Sequence, residues 1–378
     1  MGTFARTPSA GRRMRGLRRL PWLTVLAVAA TAVAVVPADI AAQRSGEWVM
    51  PRTADGHPDL QGNWSNATMT PMVRPPGVGP VLTPEQVAAL ESGQQDFLRA
   101  ELADSDPDRG LPPVGGEFTG NALFDAGGGA VGGYNLFYID GGDAIAVFNG
   151  EARSSLIVDP PDGRRPGLSE EGQRRMRARF AAQREIGGPY DNPESRDLAE
   201  RCIMSFGSNA GPPMLPNYFY NNNYTIVQTA DYVMIMTEMI HDTRIIRLGT
   251  PDPMPQHLRP WMGDSWGRWQ GDTLVVETTN IHARQNLGGY PPAAFNASEN
   301  IKVTERFTRA DEHTINYEFT VDDPTMLSGS FSGEVPFKAL DGLVYEYSCH
   351  EGNYALTNVL MGARAQEREN GSNQPDTR

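Results

Sequence analysis

The sequence predicts a mainly β protein in which an antiparallel meander of strands closes into a barrel. Between residues 223 and 350, short apolar segments alternate with short polar turns, a pattern typical of hairpins. In the segment 314–321 every second residue is apolar, so one face of that strand is expected to be buried and the other exposed. Closure into a barrel would remove the exposed edges of such a meander. A β-sandwich is the alternative architecture.

Residues 1–42 have the three parts of a signal peptide. Several arginines, the last of them Arg19, precede an apolar run over Leu20–Ala38, and Ala41 and Ala42 offer small residues for cleavage. The run is just long enough to span a bilayer, so an uncleaved anchor is the alternative. We expect cleavage near Ala42 and a periplasmic or secreted protein, which meets the membrane only through this segment before cleavage.

The charge balance narrows the classes of partner. The chain has 33 Lys and Arg against 46 Asp and Glu, a net charge of −13, and the first 42 residues are basic, which leaves the remainder more acidic still. A protein this acidic is not expected to bind nucleic acid. With 39% hydrophobic residues, 40 Gly and 30 Pro, the composition is that of a loop-rich globular protein.

The remaining chain divides into four parts. Residues 43–133 form a Pro/Gly-rich arm with one helix, which begins after Thr83 and runs to about residue 102, followed by a loop over 104–133. Residues 134–222 combine short strands with a helix capped by Ser169, and we expect them to pack on the barrel. Residues 223–365 form the β core and a closing helix from Tyr354 to about Ala365, and 366–378 form a disordered tail. The predicted strands before the core are Tyr134–Ile139, Ala144–Phe148 and Ser155–Val158, and those within it are Tyr224–Thr229, Tyr232–Ile240, Thr243–Leu248, Trp266–Trp269, Thr273–Ile281, Ile301–Arg309, His313–Val321, Phe331–Phe337 and Leu343–His350.

Two cysteines follow the predicted signal peptide. An oxidising compartment favours a disulfide between Cys202 and Cys349. The alternative is that Cys349 is a nucleophilic thiol, because His350 and Glu351 follow it directly. Adjacent residues of a strand point to opposite faces, however, which argues against contact between Cys349 and His350.

Several motifs resemble known proteins. Gly62-x-Trp64 is similar to the G-x-W of the first strand in lipocalins and related calycin barrels. Longer motifs resemble a large family of secreted bacterial proteins, and they lie at His57–Trp64, Ser155–Gly163, Glu238–Ile246, Trp261–Trp269, Gly271–Asn280, Glu318–Pro324 and Tyr345–Tyr354. This resemblance implies export and the same division of the chain, but it assigns neither an activity nor catalytic residues.

The strongest polar cluster follows an apolar strand and comprises Glu238, His241, Asp242 and Arg244. Strand ends at the mouth of a barrel are common positions for ligand sites. His241 is a candidate general base, oriented by Asp242 or another carboxylate, and Arg244 is a candidate to hold an anionic or carbonyl group. The alternative is a simple turn, in which Arg244 pairs with Glu238 across the hairpin.

A second cluster lies near the end of the last predicted strand. His350 and Glu351 are candidate catalytic residues, and Tyr345 and Tyr347 are candidate ligand-binding residues on the face of Cys349. Together with His241 and Asp242, this cluster contains two histidines and two carboxylates, a set that can bind a metal. The residues lack the spacing of known metal motifs, so we expect neither a metal nor a cofactor.

A third group is aromatic. Trp261, with Asp264 close by in the sequence, suits stacking on a sugar or an aromatic ligand. The alternative is that the tryptophans of this region close one end of the barrel, because large aromatic side chains dominate protein cores.

The sequence therefore predicts an exported, soluble β-barrel protein that binds a small amphipathic ligand in a polar and aromatic cavity. Acid–base chemistry without a metal, of the isomerase, hydratase or hydrolase type and centred on His241, is the first hypothesis. A non-catalytic ligand carrier in the periplasm and an envelope-associated protein-interaction module are the alternatives. Nothing in the sequence separates a catalyst from a carrier.

Overall fold

The computed structural model describes residues 48–101, 108, 139–206, 211–285, 287 and 296–372. From Met50 onward the chain forms one compact unit. Four predicted features lie partly or wholly outside the described residues. They are the signal peptide, nearly all of the loop over 104–133, the strand Tyr134–Ile139 up to residue 138, and the tail from residue 373.

Nine strands close into a barrel, which confirms the mainly β fold and its resemblance to lipocalins. Around the barrel the order is β1, then β5 to β12 in sequence, and β12 meets β1 again. The short strands β2 and β3 pair with each other, and β4 pairs with β12. The strands are β1 (Gly62–Ser65), β2 (Val147–Phe148), β3 (Glu151–Ala152), β4 (Ile157–Asp159), β5 (Asn223–Gln228), β6 (Tyr232–Thr237), β7 (Thr243–Leu248), β8 (Asp264–Gln270), β9 (Thr273–Thr279), β10 (Lys302–Asp311), β11 (Thr314–Asp322) and β12 (Phe331–Ala339).

Closure of the barrel uses both edges of β12. One edge pairs with β11 along its length, while the other pairs with β1 at Ala339 and with β4 at Ser332 and Gly333. No edge of β12 is left for a further strand. The strand predicted at Leu343–His350 is therefore wrong, and these residues form a loop instead.

One pair of neighbours in the barrel is parallel, whereas the sequence predicts antiparallel pairing throughout. Strands β7 and β8 run in the same direction because the connection 249–263 returns the chain to the end at which β7 began. Polar side chains hold this connection. Asp264 accepts a hydrogen bond from the Met254 amide at 2.7 Å, and the Asn280 amide group donates to the carbonyls of Met254, Pro255 and Leu258.

Side chains and an inserted segment fill the barrel interior. Rings from four strands are in contact: Tyr224 with Phe337 at 5.2 Å, Phe337 with Tyr317 at 5.1 Å, and Tyr317 with Phe307 at 5.0 Å between centroids. Segment 211–217 is buried against this core, and the Met214 amide donates to the Tyr317 hydroxyl at 2.9 Å. The cavities described below therefore lie outside the barrel interior.

Three helices accompany the barrel in the described residues: α1 (Pro84–Glu101), α2 (Glu170–Ile186) and α3 (Ala355–Ser372). The predicted caps are present: Thr83 and Gln86 exchange hydrogen bonds at the start of α1, and the Ser169 hydroxyl accepts from the Gly172 amide at 2.9 Å. In the described part of the chain, no helix combines the length and the apolar character needed to cross a membrane.

Helix α3 is longer than predicted. It continues through residues 366–372, for which the sequence predicts disorder. The sequence 364–369 consists of good helix formers, and Arg364 forms an ion pair at 2.9 Å with Glu367, one turn further on.

Candidate functional site

His241 lies in the turn between β6 and β7, where the backbone is in a rare conformation. Ile240 has a φ of 68° and His241 a φ of 52°, in the left-handed region that β-branched residues in particular avoid. The side chain of Ile240 is 2% exposed, and the His241 amide donates to the Glu238 carbonyl at 3.0 Å. Burial of Ile240 and this hydrogen bond hold the strained turn, which keeps His241 at the surface. Such strain is often found at functional sites.

His350 lies in a loop that is fixed by covalent and polar contacts. Cys349 and Cys202 form a disulfide, which confirms the predicted pairing. The side-chain amide of Asn353 donates to the Glu200 carbonyl at 3.1 Å, so the loop is attached to residues 199–202 twice. With its sulfur in a disulfide, Cys349 has no thiol, and the alternative of a cysteine nucleophile is wrong.

The two histidines meet at the protein surface. Their ring centroids are 6.3 Å apart with an angle of 45° between the planes, and both side chains are exposed. Next to His241, Asp242 is half-buried, and this burial raises the pKa of its carboxyl, while the neighbouring His241 partly opposes the shift. The structure thus brings together three of the predicted residues, His241, Asp242 and His350.

A small cavity is lined by the residues on both sides of His350 in the sequence, although neither His350 nor His241 is among its lining residues. It has a volume of about 360 Å³, and Glu351 and Tyr347, both predicted as site residues, line it together with Glu200, Ser348 and Asn353. The lining combines an aromatic ring, two carboxylates and polar groups. This is a suitable surface for a small polar ligand.

The side chains of two members of the first predicted cluster have partners other than these histidines. The Glu238 carboxylate is 6% exposed and accepts a hydrogen bond from the Asn223 side chain at 2.8 Å. Arg244 is directed into the barrel and pairs with Glu305. The predicted alternative of an ion pair between Arg244 and Glu238 is therefore wrong, because alternation along β7 directs Arg244 towards the interior.

Arg244 and Glu305 form a buried, bidentate ion pair. Nη1 and Nη2 of Arg244 donate to the two carboxylate oxygens of Glu305 at 2.7 and 2.9 Å, and the Tyr317 hydroxyl donates to the same carboxylate at 2.9 Å. Burial opposes the charge of Arg244, but the contacts with Glu305 outweigh it and raise the pKa of the guanidinium. This network stabilises the interior and is closed to solvent.

The predicted aromatic group has other contacts. Asp264 is 3% exposed, pairs with Arg247 and holds the β7–β8 connection. The rings of Trp261 and His282 are in contact, with centroids 4.0 Å apart and planes tilted by 37°. Tyr345 is 74% exposed. No described contact joins Trp261, Asp264 or Tyr345 to the histidine pair, so their roles in binding stay predictions.

A second polar region escaped the sequence analysis. His282 lies on Trp261, and its Nδ1 accepts from the Arg284 amide at 3.1 Å. Its pKa is lowered by burial and then by the charges of Arg284, Arg259 and Arg179. The basic character of helix α2 was visible in the sequence. The sequence did not show, however, that its arginines lie near His282, which is about a hundred residues further along the chain.

Neither metal binding nor family membership gains support from further comparison. The described residues contain no group of three or more His, Cys, Asp or Glu side chains placed to hold a metal ion. No protein-family model matches this chain, and no curated protein matches it either. The resemblance to secreted bacterial proteins stays a prediction.

Proposed function

We propose that this protein binds a small amphipathic ligand beside His241 and His350 and acts on it by acid–base chemistry. The observation that carries the proposal is the contact region of the two imidazoles, whose centroids are 6.3 Å apart. Separate structural devices bring them there, a strained turn for His241 and a disulfide-bonded loop for His350. Two independent anchors for one pair of exposed side chains favour a functional role.

Two imidazoles at one site can supply both a base and an acid. Histidine changes its charge near neutral pH, and a catalytic group works best when its pKa is close to the working pH. Asp242 is the carboxylate next to His241, and we assign it the role of a positioning residue that orients that imidazole.

Hydrolysis or hydration fits this site better than isomerisation. Both histidines are exposed, so water is available as a reactant, whereas isomerases commonly exclude water to protect reactive intermediates. In an ester hydrolysis, one imidazole would take a proton from water as its oxygen attacks the carbonyl carbon. The other would give a proton to the leaving alkoxide oxygen, so that the products are an acid and an alcohol.

The cavity lined by Tyr347 and Glu351 is the proposed ligand site, and a ligand that extends from it would have to reach the two histidines, which do not line it. Its volume of about 360 Å³ is near the lower end of the usual range for small-molecule pockets, so a small ligand fits best. Tyr347 would contact an apolar or ring portion of the ligand, and Glu351 would accept hydrogen bonds from its polar groups.

A carrier without catalysis is the second candidate. The same exposure that supplies water leaves the imidazoles in a high-dielectric environment, where electrostatic stabilisation of a transition state is weak. A carrier would use the cavity and the histidine pair for binding only.

We further propose export through the segment 1–42, on the basis of its charge and hydrophobicity pattern.

Hydrolysis of activated esters tests the proposal. Imidazole catalyses this reaction either as a nucleophile on the carbonyl carbon or as a base that deprotonates the attacking water, and activated esters need no dedicated binding site. The rates with p-nitrophenyl acetate and p-nitrophenyl butyrate would be measured from pH 5 to 9 for the native protein, His241→Gln and His350→Gln. His257→Gln, a change at another exposed histidine, is the matched control. We expect each site variant to lose about tenfold or more, in line with the usual contribution of a general acid or base, and the control to keep the native rate. Equal rates in all four proteins would exclude acid–base catalysis at the histidine pair and leave the ligand carrier as the remaining candidate.

A further inference from the structure

A groove between helix α2 and the loops around residues 283 and 297 has the properties of an anion site. Its volume is about 560 Å³, well within the range of small-molecule pockets. It shares no lining residue with the cavity beside His350. The apolar residues of its wall are Met176, Ala182, Ile186, Ala283, Ala297 and Met326.

Three arginines line the groove, and one of them is fully paired. Arg175 binds Glu171 at 2.7 Å and Glu299 through two hydrogen bonds at 2.7 and 2.9 Å. These contacts raise the pKa of Arg175, with Glu299 as the largest cause. Its charge is neutralised by the protein itself, and it closes one side of the groove as a structural element.

Within the described residues, the other two arginines have no acidic partner. Arg179 makes one long hydrogen bond, at 3.4 Å, to the Ala283 carbonyl, and Arg284 donates only its backbone amide, to His282. Among the residues that the structure describes, no carboxylate lies within ion-pair distance of either guanidinium. Glu194 also lines the groove, yet it pairs with neither.

Arg179 and Arg284 are both exposed and both line this groove, so two like charges share it. Packing around Arg179 and the charge of Arg284 both lower the pKa of Arg179, although a guanidinium stays protonated at neutral pH. Two unpaired cations close together are unfavourable unless an anion joins them. They are also unusual in a chain with a net charge of −13, in which acidic side chains outnumber basic ones.

We propose that this groove binds a small amphipathic carboxylate, with the carboxylate between Arg179 and Arg284 and the apolar body against the wall of α2. A planar carboxylate fits the donor fork of a guanidinium, and two guanidinium groups provide donors for both of its oxygens. The apolar wall lies next to the charged pair, so the ligand needs a hydrocarbon portion of several carbons. Inorganic anions and short acids lack that portion.

The proposal concerns a second site that does not depend on the histidine pair. The bound carboxylate could be held in addition to the ligand of the other cavity, or it could be the only ligand of a carrier. In both cases Arg179 and Arg284 take no part in the chemistry at His241 and His350. Variants of the groove should therefore leave ester hydrolysis unchanged.

Titration calorimetry with octanoate tests the site in the protein from residue 43 onward. Octanamide has the same chain without the charge, and acetate has the charge without the chain. We expect measurable affinity for octanoate, with a loss of about tenfold in Arg179→Gln and in Arg284→Gln, as expected for one charge-assisted hydrogen bond. Octanamide and acetate should each bind at least tenfold more weakly than octanoate.

Arg177→Gln is the matched control, because Arg177 lies on the same helix but does not line the groove. It removes the same charge and should keep the native affinity. A melting curve of each variant without ligand shows whether it is folded. Removal of one member of a repelling pair should leave the melting temperature equal or higher, so loss of binding cannot be ascribed to unfolding.

Three results would overturn the proposal. The first is no heat of binding for octanoate at millimolar concentration in the native, folded protein. The second is equal affinity in the native protein, Arg179→Gln and Arg284→Gln, since that would place octanoate elsewhere. Stronger binding of inorganic phosphate than of octanoate would also contradict it, because the apolar wall would then contribute nothing.

Discussion

The imidazole rings of His241 and His350 lie 6.3 Å apart, although one belongs to a turn between two strands and the other to a loop after the barrel. The barrel positions the first, because β6 and β7 fix both ends of its turn. The Cys202–Cys349 disulfide positions the second. The candidate site therefore depends on the folded barrel and on a covalent bond together.

Removal of the disulfide should affect both stability and the site. We expect Cys202→Ala/Cys349→Ala to lower the free energy of unfolding by about 2–5 kcal/mol, because the bond closes a long loop in the unfolded chain. Denaturant unfolding with and without a reducing agent measures this. Ester hydrolysis should fall in the same variant as His350 loses its anchor. Unchanged stability and unchanged hydrolysis would show that the bond is dispensable.

Loss of one member of the buried Arg244–Glu305 pair should destabilise the protein more than loss of both members. Glu305→Gln leaves the charge of Arg244 buried without its partner, so we expect a loss of about 3–5 kcal/mol in the free energy of unfolding. The double change Arg244→Met/Glu305→Met replaces both charges by apolar groups and should be less destabilising than the single change. Urea unfolding of the three proteins decides this, and a double variant less stable than Glu305→Gln would contradict it.

Asp242 should make stability depend on pH. Burial raises the pKa of this carboxyl in the folded protein, so its ionised form costs stability at neutral pH. That cost appears as the pH rises above the ordinary Asp pKa and is complete above the raised one. Asp242→Asn should therefore stabilise the protein at pH 7, by less than about 1 kcal/mol because the site is partly solvated, and have no effect near pH 3.

Thermal melting at the two pH values is the measurement for Asp242. Asp231→Asn, at an exposed aspartate in the preceding turn, serves as control and should leave the melting temperature unchanged at both pH values. A variant that is destabilised at pH 7 would mean that Asp242 is held by favourable contacts, and its assignment as a buried positioning carboxylate would be wrong.

We predict that the chain is exported and that processing removes residues 1–42. The arginines before Leu20 and the small residues Ala41 and Ala42 motivate this prediction. Expression in a bacterium followed by mass spectrometry of the soluble protein should find an N-terminus near Gln43. A full-length product extracted only with detergent would establish an uncleaved anchor.

Local patterns predicted much of this fold. The alternation along Ile315–Val321 indicated a strand with one buried face, and Thr83 and Ser169 marked the starts of two helices, all of which the structure confirms. What local patterns cannot show is which strand edges are free. The strand predicted at Leu343–His350 fails because β1 and β4 already occupy the edge of β12. The parallel pairing of β7 and β8 likewise depends on the path of a long connection.

The candidate site was predictable only in part, for a related reason. His241 and Asp242 stood out because charged residues followed an apolar strand, but the direction of Arg244 depends on register, which a turn of unknown geometry does not reveal. The groove at Arg179 and Arg284 was missed because it joins a helix to a loop that is distant in the sequence. Contacts of that kind require the tertiary structure.

A double-mutant cycle on ester hydrolysis tests most directly whether His241 and His350 form one site. The rate with p-nitrophenyl acetate would be measured at pH 7 for the native protein, His241→Gln, His350→Gln and the double variant, with His257→Gln as control. If the two imidazoles act together, each single change should lower the rate about tenfold or more. The double change should lower it little further, because either imidazole without the other no longer contributes to the rate. Single losses that simply multiply in the double variant, or no loss in any of them, would contradict the account.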